Sequence, residues 1–439
     1  MKNLYTTLLL LLAPCFLTFA QAQEQVRVWK QGDSKRFTTS ELLFSDGGES
    51  FSVGDSTYAC ATIDSITVVH TVTVTFSGST ATVDLGHARN VTYTTDGAHV
   101  NIISTNTKSE LEFVLQGSST QGSLTYDGPL KCKFYLNGLN LKSDRGAAID
   151  IQCGKRVDLI LNPGTVNVLE DAAGGEQKAA FYCKGHLEVS GSGSLTVSGN
   201  TKHGIATKEY MEVKRSTGTI TVNKAVNDAM HIGQYFKMTG GKLNLSGMGA
   251  DGLQVEILTT VTENNDTIPN PEKEDNGKMF IQGGEINLTV TGICSKGIKV
   301  PGDLTISGCK IGTIEYNTDG SFKRVSEYGM FAKANGSRGI QVGGNMLVNQ
   351  DTGTTEITIR AEGTVYEYQE WGWDDEEEEW GMVTHTTRCM GIKVDGNLTV
   401  NAGIIRAVNV GSKSYGIRVN GNYTKGTEAD VKPTPILGP

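Results

Sequence analysis

One pattern of alternating apolar residues recurs nine times between Ala148 and Arg418, and it limits the possible folds of this chain more than any other feature. Each copy begins at a small anchor residue, and the shortest steps between neighbouring anchors are about 24 residues. The first and third positions after the anchor are mostly apolar, and a period of two is that of a β-strand. The anchors are Ala148, Ala180, Gly204, Ala229, Gly252, Gly297, Gly339, Gly391 and Gly416.

Two further apolar pairs follow in most copies, for example Leu187 with Val189 and Leu195 with Val197, so each repeat is predicted to contain three short strands. A unit of this size cannot bury its apolar side alone, so equivalent strands must stack on those of neighbouring copies around one core. The sequence therefore predicts an all-β fold, a right-handed three-sided parallel β-helix with a small N-terminal β module. The lack of helical segments disfavours a βαβ fold, and a propeller needs longer blades with antiparallel turns.

Four segments are predicted along the chain. Residues 1–22 have the features of a secretory signal peptide, with an apolar run and Ala20-Gln21-Ala22 as the cleavage site. Residues 23–84 are strand-like without the repeat and are predicted to form a small leader module, whereas residues 85–425 contain the β-helix. Residues 426–439 are predicted to be a flexible tail because their prolines cannot extend a ladder. We therefore expect an exported protein, placed in the periplasm, on the cell surface or outside the cell.

The charge distribution excludes one class of partner. The net charge of the 439-residue chain is -9, and residues 361–387 hold nine acidic residues with no Lys or Arg. The rest of the chain is neutral, so no basic field attracts nucleic acid. After the signal, no apolar run is long enough to span a bilayer. We expect no nucleic-acid partner, no transmembrane segment and a monomer.

Cysteine spacing gives no zinc site. Cys15 lies in the signal segment, where it is an alternative site for lipid attachment, and the other seven cysteines are an odd number. At least one thiol is therefore unpaired, while disulfide pairing among the rest stays open. Cys183 falls in an inward apolar position and is predicted to be a core residue.

The second position after each anchor points away from the core, so these residues are predicted to form one column, which we call the polar column. It consists of Asp150, Tyr182, Ala206, His231, Gln254, Lys299, Gln341, Lys393 and Arg418. With strands about 4.8 Å apart the polar column would be about 38 Å long, which suits a polymer. Tyr182, His231, Gln254 and Gln341 are candidates to bond sugar hydroxyls, and Lys299, Lys393 and Arg418 are candidates to pair with uronate carboxylates. Alternatively, the column is polar only because it faces solvent.

Two aspartates occupy the turn before the anchor in consecutive copies, Asp228 and Asp251. Carboxylates one strand apart repel each other unless a cation lies between them, so they are candidate Ca²⁺ ligands. Capping of the turn by Asx side chains is the alternative. Lys296 and Arg338 take this position in later copies, so any row of ions is short.

Insertions lengthen three of the repeats, and the second of them lies at about residues 312–329. The insertion at residues 263–277 is polar and is predicted to be a loop. The last contains Trp371, Trp373 and Trp380 around an acidic run, and it is predicted to be a hairpin whose aromatic faces stack on sugar rings while its acids hold Ca²⁺. A solvated acidic tip is the alternative.

Motifs for catalysis are absent: there is no Ser/His/Asp motif, no Walker loop and no HExxH. Lyase chemistry on uronates needs a base beside Ca²⁺, and Lys299 or Lys393 are the candidates for that role.

The segment Gly146 to Val255 resembles a family of secreted bacterial β-helix proteins, first catalogued as a domain of unknown function and later as a carbohydrate-binding domain for cellulose and polygalacturonate. The resemblance rests on Gly191-Ser192-Gly193-Ser194-Leu195-Thr196-Val197-Ser198-Gly199-Asn200, followed by His203-Gly204-Ile205. It implies a fold like that of pectate lyases, Ca²⁺ binding at Asp228 and Asp251, and binding without an established activity. Lys296 and Arg338 depart from the family's aspartate, which leaves the number of ions open.

These observations predict a secreted or surface-exposed, non-catalytic protein that binds an acidic, pectin- or cellulose-like polysaccharide with the help of calcium. A calcium-dependent polysaccharide lyase of the pectate type is the first alternative. An adhesin or scaffold protein, with the Trp-rich insertion gripping a protein partner, is the second.

Overall fold

The computed structural model describes residues 25–31, 33–38, 42–45, 47–53, 56–312, 314–316, 322–325, 330–374 and 379–438. The predicted signal peptide lies outside the described residues. The all-β prediction is confirmed for these ranges, where strands are accompanied by a single 3-10 turn at Cys60–Thr62. None of the described helical structure has the length and hydropathy needed to cross a membrane. Contacts divide the chain into two compact units, Met1–His70 and Thr71–Pro439.

Short antiparallel strands make up the first unit. They are Gln25–Lys30, Asp33–Thr38, Leu42–Phe44, Ser50–Val53, Ser56–Ala59 and the first part of Ser65–Ser77. Val28, Phe51 and Val53 are buried together, and the ring of Phe51 stacks on that of Tyr58 with centroids 5.3 Å apart. Alternation of these apolar residues with polar ones gives the small sheets one covered face.

Three ladders of strands form the second unit, and the candidate site lies on the first of them, ladder A. Its pairings are parallel except for the antiparallel pair formed by its first two strands. Ladder A contains Val91–Asp96, Ala98–Ser104, Gly122–Asp127, Ile149–Ile151, Ala179–Cys183, His203–Thr207, Met230–Ile232, Leu253–Val255, Lys296–Val300, Arg338–Val342, Met390–Val394, Tyr415–Val419 and Ile436–Leu437.

Ladders B and C are also parallel, and four long strands take part in both: Leu111–Ser119, Cys132–Lys142, Leu398–Asn409 and Tyr423–Lys432. Between these, ladder B contains Val157–Leu161, Leu187–Ser190, Met211–Val213, Phe236–Met238, Met279–Ile281, Leu304–Ser307 and Met346–Asn349. Ladder C contains Val166–Glu170, Ser194–Gly199, Thr219–Ala225, Lys242–Leu245, Glu285–Val290, Lys310–Ile311, Met330–Ala332 and Glu356–Ala361. The strand Thr80–Asp84 pairs antiparallel with residues 73–77.

One hydrophobic core runs through the second unit, from Val72 to Val431. It is built from the inward positions of the three ladders, and Cys183 is buried in it as predicted. At its N-terminal end the rings of Phe113 and Phe134 stack with centroids 4.5 Å apart. The seven described cysteines are all unpaired, which confirms that at least one thiol is free.

The small anchor residues are explained by close approach between neighbouring strands. A Cβ added to Gly297 would lie 2.5 Å from the carbonyl oxygen of Gly339, and one added to Gly391 would lie 2.5 Å from that of Gly416. Contacts this short displace backbone, so glycine is favoured in these copies.

The predicted tail at residues 426–439 is wrong for most of its length. Residues 428–432 pair with residues 402–406 of the preceding strand, and Ile436–Leu437 pairs with Arg418 and Val419. Ala429 and Val431 are buried at 7% exposure each, so an alternating pattern continues ladder C before the prolines. The prolines end that strand, but the chain still pairs with ladder A through Ile436–Leu437.

All three insertions contain antiparallel hairpins. The first has the pair Thr259–Val261 and Thr267–Pro269, so the predicted loop begins inside a hairpin. The second has Ile314–Tyr316 with Phe322–Val325, and the third has Val365–Asp374 with Glu379–Arg388, the hairpin predicted from its sequence.

Candidate functional site

The polar column lies in one register on ladder A. Eight successive pairings join Asp150 to Tyr182, then each following member of the column, and finally Lys393 to Arg418. Stacking places equivalent side chains about 4.8 Å apart. The predicted residues therefore share one surface.

Exposure differs between the two ends of the polar column. Tyr182 is 9% exposed and packs with Ala179 and Ala206, and Gln254 is 8% exposed. Both were expected to face solvent, and this part of the prediction is wrong; in the case of Tyr182, Lys178 Nζ lies 5.4 Å from the ring centroid and covers the ring. Lys299, Gln341, Lys393 and Arg418 are all half-buried, whereas in the N-terminal half the half-buried Asp150 and His231 are separated by buried residues, so the continuous accessible stretch is the C-terminal half.

A second set of side chains borders the polar column. Each of its members lies three residues before the polar-column residue of the same repeat. We call it the turn column; its members are His203, Asp228, Asp251, Lys296 and Arg338. In the strand Lys296–Val300, Lys296 and Lys299 are both half-buried while the two residues between them are buried. The two columns thus present side chains to the same side of ladder A.

At its first end the turn column forms a partly buried charge network. His231 lies between two carboxylates, with Nδ1 2.8 Å from Asp228 Oδ2 and Nε2 3.3 Å from Glu256 Oε2. The ring of His203 stacks on that of His231 with centroids 4.2 Å apart, and its Nδ1 lies 3.2 Å from the same oxygen of Asp228. Sequence reasoning missed His203 and Glu256, although His203 is one repeat before Asp228.

Protonation in this network follows from burial and hydrogen bonding. Burial alone would lower the pKa of His231, but hydrogen bonds to Asp228 and Glu256 outweigh it and raise that pKa to about 9. Burial raises the pKa of Asp228, but hydrogen bonds from both imidazoles outweigh this and hold it well below its usual range. Burial is the largest influence on His203 and lowers its pKa. At neutral pH His231 is an imidazolium and His203 is neutral.

The two predicted calcium ligands are occupied by donors from the protein. Asp228 Oδ1 accepts the backbone N–H of Asp251 at 2.9 Å, and Asp251 Oδ1 accepts that of Lys296 at 2.7 Å. Asp251 Oδ2 lies 3.3 Å from Lys299 Nζ. Calcium needs about six to eight oxygen ligands, so these carboxylates do not fit the ion in this arrangement, and turn capping describes them better.

His203, Asp228 and His231 also have ligand atoms within 4.8 Å of one another. Two imidazoles and one carboxylate suit a transition metal more than calcium. Both ring nitrogens of His231 face carboxylates, however, so the three residues form an internal charge network here.

The tryptophans of the third insertion occupy one face of its hairpin. Trp371 is opposite Met382 and Trp373 is opposite Trp380, and the three tryptophans are 65%, 49% and 62% exposed. Their exposure is what stacking on a sugar ring requires. The acidic residues 375–378 at the tip lie outside the described residues.

The opposite face of the hairpin carries Tyr366 and Tyr368, because successive residues of a strand point to opposite sides. These tyrosines and Thr387 border a pocket of about 410 Å³ whose other walls include Lys296, Arg338 and Gln341. The hairpin therefore contacts the two columns through its tyrosines. Sequence reasoning did not select these tyrosines as site residues. The pattern that could have found them is alternation, which places them on the face of the hairpin opposite the tryptophans.

Comparison with known proteins gives a family. The model of a family described as carbohydrate-binding domain-containing protein matches residues 96–424. A carbohydrate-binding domain-containing protein of Acetivibrio thermocellus is 28% identical over 120 residues, which is 25% of this chain. The match covers 41% of the length of that relative.

A solved structure of a polysaccharide lyase-like protein from C. thermocellum, in a gadolinium derivative, is also similar. It matches 66% of this chain and 91% of its own, with a TM-score of 0.42 and 19% identity.

Proposed function

We propose that this chain, which belongs to the family of carbohydrate-binding domain-containing proteins over residues 96–424, binds an acidic polysaccharide along ladder A without cleaving it. The observation that carries the proposal is the register of Lys299, Gln341, Lys393 and Arg418 on successive strands. A polymer lying across these strands meets a hydrogen-bonding or cationic side chain at every step.

Charge on this surface favours an anionic ligand at its C-terminal half. Arg418 lies over the ring of Tyr415 at 5.5 Å, and Lys393 Nζ lies 2.8 Å from Asp395 Oδ1. Lys296 and Arg338 add two further cations beside the polar column. Residues 361–387 hold the nine acids that account for the net charge, so the strands of ladder A are not themselves part of the negative excess.

Binding without cleavage is supported by the state of the candidate bases. Lys299 is ion-paired with Asp251 at 3.3 Å, and Lys393 is ion-paired with Asp395 at 2.8 Å. An ammonium ion in a salt bridge has no lone pair to remove a proton from a sugar.

Three further expectations belong to the same proposal. The three parallel ladders, each receiving strands from successive repeats, support a right-handed three-sided β-helix. Export to the periplasm, cell surface or extracellular space stays a prediction, and so does assistance by calcium. The donor set at Asp228 and Asp251 gives calcium no support, so a chelator is part of the test.

The experiment measures binding of the protein to polygalacturonate by isothermal titration calorimetry, with calcium and with EDTA. Replacing a cation that forms a charge-assisted bond should weaken binding about tenfold, so we expect that loss for Arg418→Gln and for Lys393→Gln. Lys310→Gln, an exposed lysine on ladder C, is the matched control and should bind like the wild type.

Equal affinities for all these proteins would contradict binding along ladder A. Unsaturated sugar products, detected by their ultraviolet absorbance during the incubation, would establish the lyase alternative instead.

A further inference from the structure

We propose that Lys296 and Arg338 form a metal-independent subsite for the carboxylate of one uronic acid residue, and that Tyr366 and Tyr368 form the wall against which its ring packs. This inference rests on the proposed function and names the part of the ligand that the site recognises. It adds four residues that the polar column does not contain.

The pocket has a size that suits a sugar residue. Its volume of about 410 Å³ lies within the usual range of small-ligand pockets. It is bounded on one side by the turn column and Gln341, and on the other by the tyrosine face of the hairpin. A polymer following the polar column passes Gln341 and therefore reaches the pocket mouth.

Two cations without a carboxylate partner stand in this pocket. Among the described residues, neither Lys296 Nζ nor any Arg338 nitrogen has an acidic oxygen within salt-bridge distance, whereas neighbouring Lys299 pairs with Asp251. Burial is the main cause of a lowered pKa for both Lys296 and Arg338, which shows that their charges have lost solvation. An anion entering the pocket restores that lost stabilisation.

The donors of these side chains outnumber the acceptors that the protein offers. Arg338 donates from one terminal nitrogen to Gln341 Oε1 at 2.5 Å, and its Nε is buried without a partner in the described part of the chain. A guanidinium has five N–H groups and an ammonium three. The bond to Gln341 engages one terminal nitrogen of Arg338, so the other donors of these two side chains remain for a planar carboxylate.

The turn column changes sign along its length. Asp228 and Asp251 come first, and Lys296 and Arg338 occupy the same position in the next two repeats. An acidic position can hold a sugar carboxylate only through a bridging cation, whereas Lys296 and Arg338 supply the positive charge themselves. This subsite therefore requires no metal ion.

The tyrosine wall is held by the base of the hairpin. The backbone N–H of Gly336 donates to the carbonyl oxygen of Thr364 at 2.9 Å, and Thr364 donates its own N–H to Asn335 Oδ1 at 3.0 Å. A Cβ on Gly336 would lie 3.1 Å from Cβ of Tyr366, so glycine lets the hairpin approach the turn. The rings of Tyr366 and Tyr368 stack with centroids 5.9 Å apart, which forms an extended aromatic surface.

The test compares Arg338→Gln, Arg338→Lys, Lys296→Gln and the wild type for binding in EDTA. The probes are polygalacturonate, fully methyl-esterified polygalacturonate and dextran sulfate. We expect Arg338→Gln and Lys296→Gln each to lose about tenfold or more in affinity for polygalacturonate and little for the esterified polymer. Arg338→Lys should retain part of the affinity because it keeps the charge but loses the planar fork. Arg215→Gln, in an exposed turn, and Lys310→Gln are the controls.

Each alternative outcome shows which part of the proposal is wrong. If Arg338→Gln and Lys296→Gln bind normally while Arg418→Gln loses affinity, the proposed function stands and this subsite is wrong. Equal losses for the acidic and esterified polymers would refute carboxylate recognition, and equally tight binding of dextran sulfate by the wild type would do the same. If the wild type binds none of the polymers, the proposed function itself fails. Circular dichroism of every variant excludes loss of fold, and the Arg338→Lys protein provides the comparison if Arg338→Gln does not fold.

Discussion

Replacement of His231 by glutamine removes the imidazolium that lies between Asp228 and Glu256. His231 is 21% exposed, and its two ring nitrogens lie 2.8 Å and 3.3 Å from carboxylate oxygens. Glutamine has a similar length but no charge, so Asp228 loses the cation that offsets its burial. We expect the wild type to be more stable than His231→Gln at neutral pH.

The magnitude follows from the pKa of His231, which folding raises from 6.5 to about 9. Each pKa unit corresponds to about 1.4 kcal/mol, so the protonated form contributes about 3 kcal/mol to the free energy of unfolding. Since the folded-state pKa is the higher one, this contribution is complete below about pH 6.5 and disappears as the pH rises through about 9. Burial is the main cause of the lowered pKa of the neighbouring His203, and the charge of His231 is a further cause, so the replacement also removes that influence.

The assay is urea denaturation followed by far-ultraviolet circular dichroism, at a series of pH values from about 6 to about 10. The difference in unfolding free energy between the wild type and His231→Gln should shrink by about 3 kcal/mol over that range. His87→Gln, at an exposed position outside this network, is the control variant. A change smaller than about 1 kcal/mol for His231→Gln would refute the assignment of an imidazolium at this position.

Three further predictions concern other parts of the molecule. Gly339→Ala should lower the free energy of unfolding by about 2 kcal/mol, since its Cβ would lie 2.6 Å from the Gly391 carbonyl oxygen, whereas Gly381→Ala has open space around it and should leave urea denaturation unchanged. Trp371→Ala should change stability by less than about 0.5 kcal/mol because the ring is 65% exposed, yet weaken polysaccharide binding in calorimetry; unchanged binding would show that the tryptophan face does not contact sugar. Of the described cysteines, Cys60 and Cys294 should react with a thiol reagent in the folded protein because they are partly exposed, and labelling of the buried Cys183 before denaturation would contradict the packing.

The period of the sequence predicted the polar column because it determines both the direction of a side chain and the neighbours on which it stacks. Alternation within a strand sets which side chains leave the core, and the repeat sets which of them stack. Lys299 and Gln341 therefore lie on adjacent strands as their sequence positions indicate. Burial depends in addition on neighbours, and the ring of Tyr182 packs with Ala179 and Ala206 while Lys178 lies over it.

The chemistry of the turn column was harder to predict. Asp228 was selected for a metal ion, but its partners are His203, one repeat away, and His231, in the following strand. The repeat does not show whether Asp228 faces a second acid or an imidazole. Side-chain direction beside the anchor decides this, and the alternation of inward and outward residues is interrupted there. Lys296 and Arg338 were noted only as breaks in an aspartate column. Alternation within the third insertion separates the tyrosines from the tryptophans, but it does not indicate that Tyr366 lies beside these two cations.

The change of sign between Asp251 and Lys296 divides ladder A into two stretches that differ in the cations they offer to a charged chain. A linear polyanion lying along the C-terminal strands finds cations as far as Lys296, whereas beyond it the charge of His231 is already paired with Asp228 and Glu256. The bound polymer would therefore stop at a defined place, with its overhang directed toward the last strands. Such a boundary turns a uniform stack of repeats into a surface with a beginning and an end for its ligand.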